Sequence, residues 1–193
     1  MWPGPATRFC TSDHKTAQVE KLMTVMVDQF IDEFLGGKRH NPYRRVKILN
    51  CLGLRAAESP RRRDMEPVSQ DPATNKTKRD VTRWLPIHGW SDQQVWDLIH
   101  TKKLPYHKAY DLGMPRLSCV FCIYAPPEAL LLAGYHNPEK LAEYVAVEQK
   151  IGHAFQYDSD TKQAMPLIQI QQTLQAGYVP TGKVDAAQWS QCA

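Results

Sequence analysis

Two cysteines three residues apart, Cys119 and Cys122, stand in the stretch Met114-Pro-Arg-Leu-Ser-Cys-Val-Phe-Cys-Ile123. Two thiols on one turn can hold a single metal ion or one edge of a cluster, and thiolate is a favoured ligand of zinc and of iron–sulfur centres. Arg116 lies just upstream, where its charge can lower a thiol pKa or hold an anion. A third thiol, Cys10, sits in Arg8-Phe-Cys-Thr-Ser-Asp13, and Cys51 is available as a fourth. A zinc ribbon would need a second Cys-x-x-Cys, which the chain does not have. Cys10, Cys119 and Cys122 gathered by the fold would leave one coordination position open, which suits chemistry better than scaffolding. A closed zinc clip, or plain thiols without metal, are the structural alternatives.

The second chemistry-bearing stretch is basic. Between positions 38 and 63 the chain carries Lys38, Arg39, Arg44, Arg45, Lys47, Arg55, Arg61, Arg62 and Arg63 against one acid, Glu58. A solvated face is the plain reading of such a run. Here the arginines flank a predicted strand, Val46–Leu52, which runs into Gly53-Leu-Arg-Ala-Ala-Glu-Ser59. Ligands of open α/β sheets sit beyond the carboxyl ends of strands, so this place favours an anion site. Arg55 can grip a phosphate or sulfate with its planar fork, Glu58 can orient it, and Ser59 can bond an oxyanion. Arg62 and Arg63 are further candidates. The alternative makes Ser59 a helix cap beside an exposed ion pair of little worth.

The elements that must position these groups follow from pattern. Residues 14–35 read as an amphipathic helix with Leu22, Val25, Met26, Gln29, Phe30 and Phe34 on its stripe, capped by Ser12 or Asp13 and ended by Gly36-Gly37. Cys10 would then precede a helix N-terminus, whose dipole favours a thiolate. Cys51, on the predicted buried strand, is expected in the core. Residues 64–80 are polar and aperiodic, an expected mobile excursion or lid, before a strand at 81–87. Ser91 caps a predicted helix to about His100 that turns Val95, Trp96 and Ile99 inward. Helices are expected at 127–134, 138–150 and 164–176, with Pro127 and Pro138 in first turns. The tail beyond Gly177 reads as poorly ordered. His88 and His107 lie in loops and fit structural roles better than acid catalysis; Trp84, Trp90 and Trp96 read as core anchors.

The 193 residues suit one domain, with 1–157 its body and 158–193 a last helix and tail. Apolar content of 42% and charged content of 23% are ordinary for a globular protein. No apolar run reaches the roughly 18 residues of a membrane span. The opening Met-Trp-Pro-Gly-Pro has no signal-peptide pattern, and five cysteines, an odd number, do not suggest a secreted disulfide framework, so a cytoplasmic setting is expected.

Four stretches, taken together, resemble the phosphoadenosine phosphosulfate (PAPS) reductase family, especially its phage- and prophage-borne members. They are Arg8–Asp13, Gly53–Ser59 with Arg61-Arg-Arg63, Trp84-Leu-Pro-Ile-His-Gly-Trp-Ser-Asp-Gln-Gln-Val-Trp96, and Met114–Ile123. The resemblance implies an α/β, adenine-nucleotide α-hydrolase-like (PP-loop ATPase-like) fold: a parallel sheet with flanking helices. It also implies an adenylyl nucleotide (PAPS, APS or ATP) as substrate. Related enzymes include ATP-pyrophosphatase sulfurtransferases, some with an iron–sulfur cluster. Two features depart from the family. Its phosphate-binding Ser-Gly-Gly-x-Asp-Ser loop has no counterpart here; the one Gly-Gly is followed by Lys-Arg-His. Its C-terminal Glu-Cys-Gly-Leu-His-type motif is also absent, and Cys192 stands in Trp-Ser-Gln-Cys-Ala, a terminal thiol rather than a nucleophile.

The leading expectation is therefore a protein of adenylyl-linked sulfur chemistry, reductase or sulfurtransferase, whose N-terminal phosphate-binding part is missing and is supplied by a partner chain or lost by truncation of the start. A catalytically inactive, metal-stabilised remnant is the first rival. A nucleic-acid-binding module built on the 38–63 basic stretch is the second.

Overall fold

The computed structural model describes residues 2, 7, 9–35, 45–157 and 161–184. They form two compact units, one within Arg8–Lys103 and one within Leu104–Cys192 together with Met1–Thr7. The expected helix end at Gly36-Gly37, the cations Lys38, Arg39 and Arg44, and Cys192 lie outside the described residues.

The first unit opens with a helical turn, α1 (Phe9–Thr11), a π-helical turn (Ser12–Thr16) and α2 (Ala17–Leu35). Cys10 thus lies inside a helical turn rather than ahead of a helix start. The proposed caps do not form as expected: Thr11 takes the cap position of the π turn without a side-chain cap bond, and Ser12 Oγ donates to Asp13 Oδ1 (2.6 Å).

The rotation of α2 also differs from expectation. Met23, Val27 and Ile31, spaced four apart, are buried, whereas Leu22, Val25, Met26, Phe30 and Phe34 face solvent. The cause is Arg79. Its guanidinium is 2% exposed and donates to Glu20 O (3.2 Å), Thr24 Oγ1 (2.8 Å) and Thr74 O (2.9 Å). Bonding Glu20 and Thr24 from one buried cation turns their side of the helix inward. Lys78 donates to Asp28 (2.8 Å) one turn further on, and that carboxylate holds the Lys78 ammonium above its ordinary pKa.

The sheet of this unit contains β1 (Val46–Cys51), β2 (Val68–Gln70) and β3 (Arg79–Trp84) in the order β1-β3-β2. β1 runs parallel to β3, but β2 runs antiparallel to it, so the sheet is mixed rather than parallel throughout. β2 arises from the 64–80 segment expected to be a mobile lid. A turn at Asp71 (accepting from Thr74 and Asn75 N–H) and the bond from Val81 N–H to Asn75 Oδ1 (2.6 Å) return the chain to β3. Val81, in the central strand, is fully buried. β1 sits at one side and is half-buried, so period-2 alternation leaves Lys47, Leu49 and Cys51 exposed. Cys51 therefore does not point into the core, and Trp84, at 40% exposure, is no core anchor. α4 (Asp92–Thr101) begins at Ser91, which with Gln94 forms a reciprocal capping box. Val95, Trp96 and Ile99 are its half-buried face, as read.

The second unit holds α5 (Pro127–His136), α6 (Pro138–Ile151), the two-stranded ribbon β4 (Gln156–Tyr157) and β5 (Ala164–Met165), and α7 (Leu167–Gln175). Its core gathers Phe121, Leu130, Leu141, Val145, Phe155 and Leu167. The last helix starts later than read because Ala164 and Met165 pair with β4. The tail read as poorly ordered makes fixed contacts over residues 178–184, the rest of it lying outside the described residues: Tyr178 donates to Glu128 (3.2 Å), Val184 lies against the core, and a Cβ on Gly113 would come within 2.0 Å of Gly182 O. Among the described residues, no helix is long and apolar enough to cross a membrane.

Candidate functional site

Beyond the end of β1 the chain turns through a 3-10 turn (Ala56–Glu58) into a short helix, α3 (Pro60–Arg63). Proline at its first position and Ser59 at its cap explain why the helix starts here. Ser59 is 9% exposed, and its Oγ accepts from Arg62 N–H (3.3 Å). That is the capping role, which leaves the serine facing its own helix.

Around this turn the charges alternate. Arg55, 13% exposed in its side chain, donates to Asp92 in the first turn of α4 and lies 3.7 Å from Glu58. A longer bond reaches Trp90 O (3.5 Å). Glu58 accepts from Arg62 and from Arg55 N–H (3.1 Å). His88 Nε2 bonds Arg62 O (2.8 Å), and Ala56 N–H donates to His88 O (2.8 Å), so the loop after β3 is stitched to the loop after β1. The row Asp92–Arg55–Glu58–Arg62 is neutral as a set. It holds the strand ends in place, while Arg61 and Arg63 reach outward with no ion pair among the described residues. Arg45 is neutralised by Asp80 (2.8 Å). Of the predicted anion residues, Arg55, Glu58, Ser59 and Arg62 come together; Arg63 stands at their rim, and Arg116 belongs to the other unit.

In that unit, the Cys-x-x-Cys segment is an irregular loop ahead of α5. Phe121 is its anchor: 3% exposed, with its ring 5.1 Å from Tyr144. Gln156 Nε2 donates to Ala125 O (2.8 Å) and Cys122 O (3.3 Å), fixing the second half of the motif. The two thiols differ in setting. Cys122 is partly buried against the core, whereas Cys119 is exposed and lines a cavity of about 350 Å³ with Arg116. Cys10, Cys51, Cys119 and Cys122 are all unbridged. Cys10 and Cys51 belong to the first unit, Cys119 and Cys122 to the second. Among the described residues, no three His, Cys, Asp or Glu side chains are grouped as a metal site.

A family model, phosphoadenosine phosphosulfate reductase domain, matches residues 14–125, more than half of the chain. The chain belongs to this family. As a PAPS reductase family member it is similar to an adenosine 5'-phosphosulfate reductase of Shouchella clausii, 33% identical over 73 residues (38% of this chain, 28% of that protein). It is also similar to the adenosine 5'-phosphosulfate reductase of Geobacillus thermodenitrificans, 33% over 70 residues (36% and 28%), and to adenosine 5'-phosphosulfate reductase 2 of Bacillus subtilis, 30% over 76 residues (39% and 30%). The matched stretch spans under a third of the length of these relatives. No solved structure matches the chain. The architecture of this family member is α/β, with helices and two small sheets.

Sequence reasoning missed Asp92, the acid that takes Arg55. Its signal was available: an acid directly after the cap residue Ser91, in a stretch already singled out. Lys108 and His136, which share the cavity of Cys119 and Arg116, carried no local signal.

Proposed function

We propose that this PAPS reductase family member handles an adenylyl sulfate nucleotide, with the loops after β1 and β3 receiving its anionic end. The fold would be of the adenine-nucleotide α-hydrolase kind, supported by the parallel pairing of β1 with β3. The observation that carries the reading is the Arg55 brace, which lies within the matched family segment and beyond a strand end, where α/β sheets take ligands. Asp92 is largely exposed and occupies the Arg55 fork. An incoming sulfate or phosphate would compete with it for the same planar donors, and Arg61 and Arg63 would add attraction from the rim. The amides that cradle the remaining phosphates would come from polypeptide outside this sequence. Cys119 and Cys122 would hold one side of a zinc ion or an iron–sulfur cluster. When bound, such a centre would supply a site for sulfur ligation. Reduction and sulfur transfer are both consistent with this arrangement.

Calorimetric titration with adenosine 5'-phosphosulfate, against AMP and inorganic sulfate, tests the assignment. Arg55→Met should weaken sulfonucleotide binding at least about tenfold, equivalent to about 1.4 kcal/mol. Asp92→Asn, which removes the competing carboxylate, should strengthen it. Sulfonucleotide binding no tighter than that of AMP, and unchanged by either substitution, would defeat the proposal. Binding to nucleic acid that collapses with salt would point to the basic stretch instead.

A further inference from the structure

The cavity beside Cys119 lies wholly within the second unit and is not used by the nucleotide reading. Its polar wall is one-sided in charge. Lys108, Arg116, His107 and His136 line it, with Ser118, Asn137 and the Cys119 thiol, and among the described residues no Asp or Glu does. His107 Nδ1 accepts from Ala109 N–H (3.1 Å), which leaves Nε2–H as that ring's remaining donor. The lining also has a hydrocarbon part: Leu112, Met114 and Leu132. At about 350 Å³ the space is within the range of small-molecule sites, and its make-up, an apolar body with a few convergent polar groups, is theirs also.

The loop that builds the wall is held from several directions, so the cavity is a fixed feature of the unit. Gly113, with φ +95°, abuts Gly182 so closely that only glycine fits. Met114 N–H donates to Ala109 O (3.0 Å), and Phe121 is sunk in the core.

We infer that this cavity binds a small organic oxyanion, a sulfonate, carboxylate or phosphate carried on an apolar body, beside Cys119. The cations receive the head group, and Leu112, Met114 and Leu132 receive the body. An oxyanion without an apolar part would use only half of the wall. A neutral analogue would forgo the charge attraction of the head group.

The thiol on the wall makes the test direct. In reduced, chelator-treated full-length protein, alkylation of Cys119 by anionic iodoacetate and by neutral iodoacetamide is followed by peptide mass spectrometry, with N-acetylcysteine in the same tube as reference. In both reactions the thiolate displaces iodide, so only the charge of the reagent differs. The iodoacetate-to-iodoacetamide ratio at Cys119 should exceed that of the free thiol by about fivefold or more, as expected for a focused positive potential. It should fall toward the free-thiol value in Lys108→Gln, in Arg116→Gln and at high salt. Benzenesulfonate should protect Cys119 from iodoacetamide, and benzenesulfonamide should not. Lys108 is exposed, so its substitution keeps the test valid should the Arg116 variant misfold. A ratio equal to that of the free thiol, no response to Lys108→Gln, or no labelling by either reagent would overturn the inference. None of these readouts involves a nucleotide, so failure here leaves the sulfonucleotide reading standing, and the reverse holds.

Discussion

Arg55 and Asp92, on the loop leaving β1 and the first turn of α4, are joined by a hydrogen-bonded ion pair whose arginine is mostly buried and whose aspartate is mostly exposed. The imbalance decides what each substitution does. Removing the aspartate leaves Arg55 with Glu58 and Trp90 O, so Asp92→Ala should lower the unfolding free energy by only about 0.2–1 kcal/mol. Removing the arginine leaves Trp90 O and the Asp92 carboxylate without their donor and the loop unbraced, and Arg55→Met should cost about 1–3 kcal/mol. Urea titrations of the two variants compare the pair directly.

Arg79 deserves the larger number. It is buried, and its bonds to Glu20, Thr24 and Thr74 tie α2 to the strand that centres the sheet. Arg79→Met should destabilise the first unit by about 3 kcal/mol, because three acceptors lose their donor at once. Thr24→Val, which removes one of them, should cost about 1 kcal/mol.

Gly113→Ala places a methyl where Gly182 O already lies and imposes an L residue on φ +95°. The expected result is local: faster amide hydrogen exchange at residues 178–184 and in the 113–120 loop, with the helices α5 and α6 still protected. Protection unchanged in both segments would show that the contact is dispensable.

Glu148 is 5% exposed and accepts from Phe155 N–H (2.5 Å) at the turn between α6 and β4. Glu148→Ala leaves that amide buried without an acceptor and should cost about 1–3 kcal/mol, read from chemical denaturation.

If Cys119 and Cys122 share a metal, anaerobic preparations of Cys119→Ser and Cys122→Ser should both lose the iron, sulfide or zinc found in the wild type. Their stabilities should nevertheless differ. Cys122, packed on the core, should lose more on conversion to serine than exposed Cys119, for which the change should stay within about 0.5 kcal/mol. Equal metal content in wild type and both variants would remove the pair from consideration as ligands.

Local chemistry was legible where one short segment decides the outcome. Ser59 takes the capping role that was the alternative to its binding an oxyanion, and Ser91 with Gln94, and Pro127 and Pro138, gave helix starts that the structure contains. So did the β1 turn that brings Arg55, Glu58, Ser59 and Arg62 together. What escaped was set by distant partners. α2 has an apolar arc wider than the surface that covers it, and only Arg79, more than fifty residues on, selects Met23, Val27 and Ile31 for burial. Three residues, Val68–Gln70, are too few to announce a strand until β3 pairs with them. Cys51 depended on which side of β1 lies uncovered, which no periodicity within the strand specifies. Asp92 belonged to a recognised motif but was passed over because its partner lies 37 positions earlier.

The outward row on α2, with Phe30 and Phe34 stacked at 4.9 Å, has a practical bearing on every measurement suggested above. Environment-sensitive dyes light up on such hydrocarbon in a fully native molecule, so a dye-reported melting curve will start bright and flatten. Circular dichroism or tryptophan emission is the sounder gauge of unfolding for this chain.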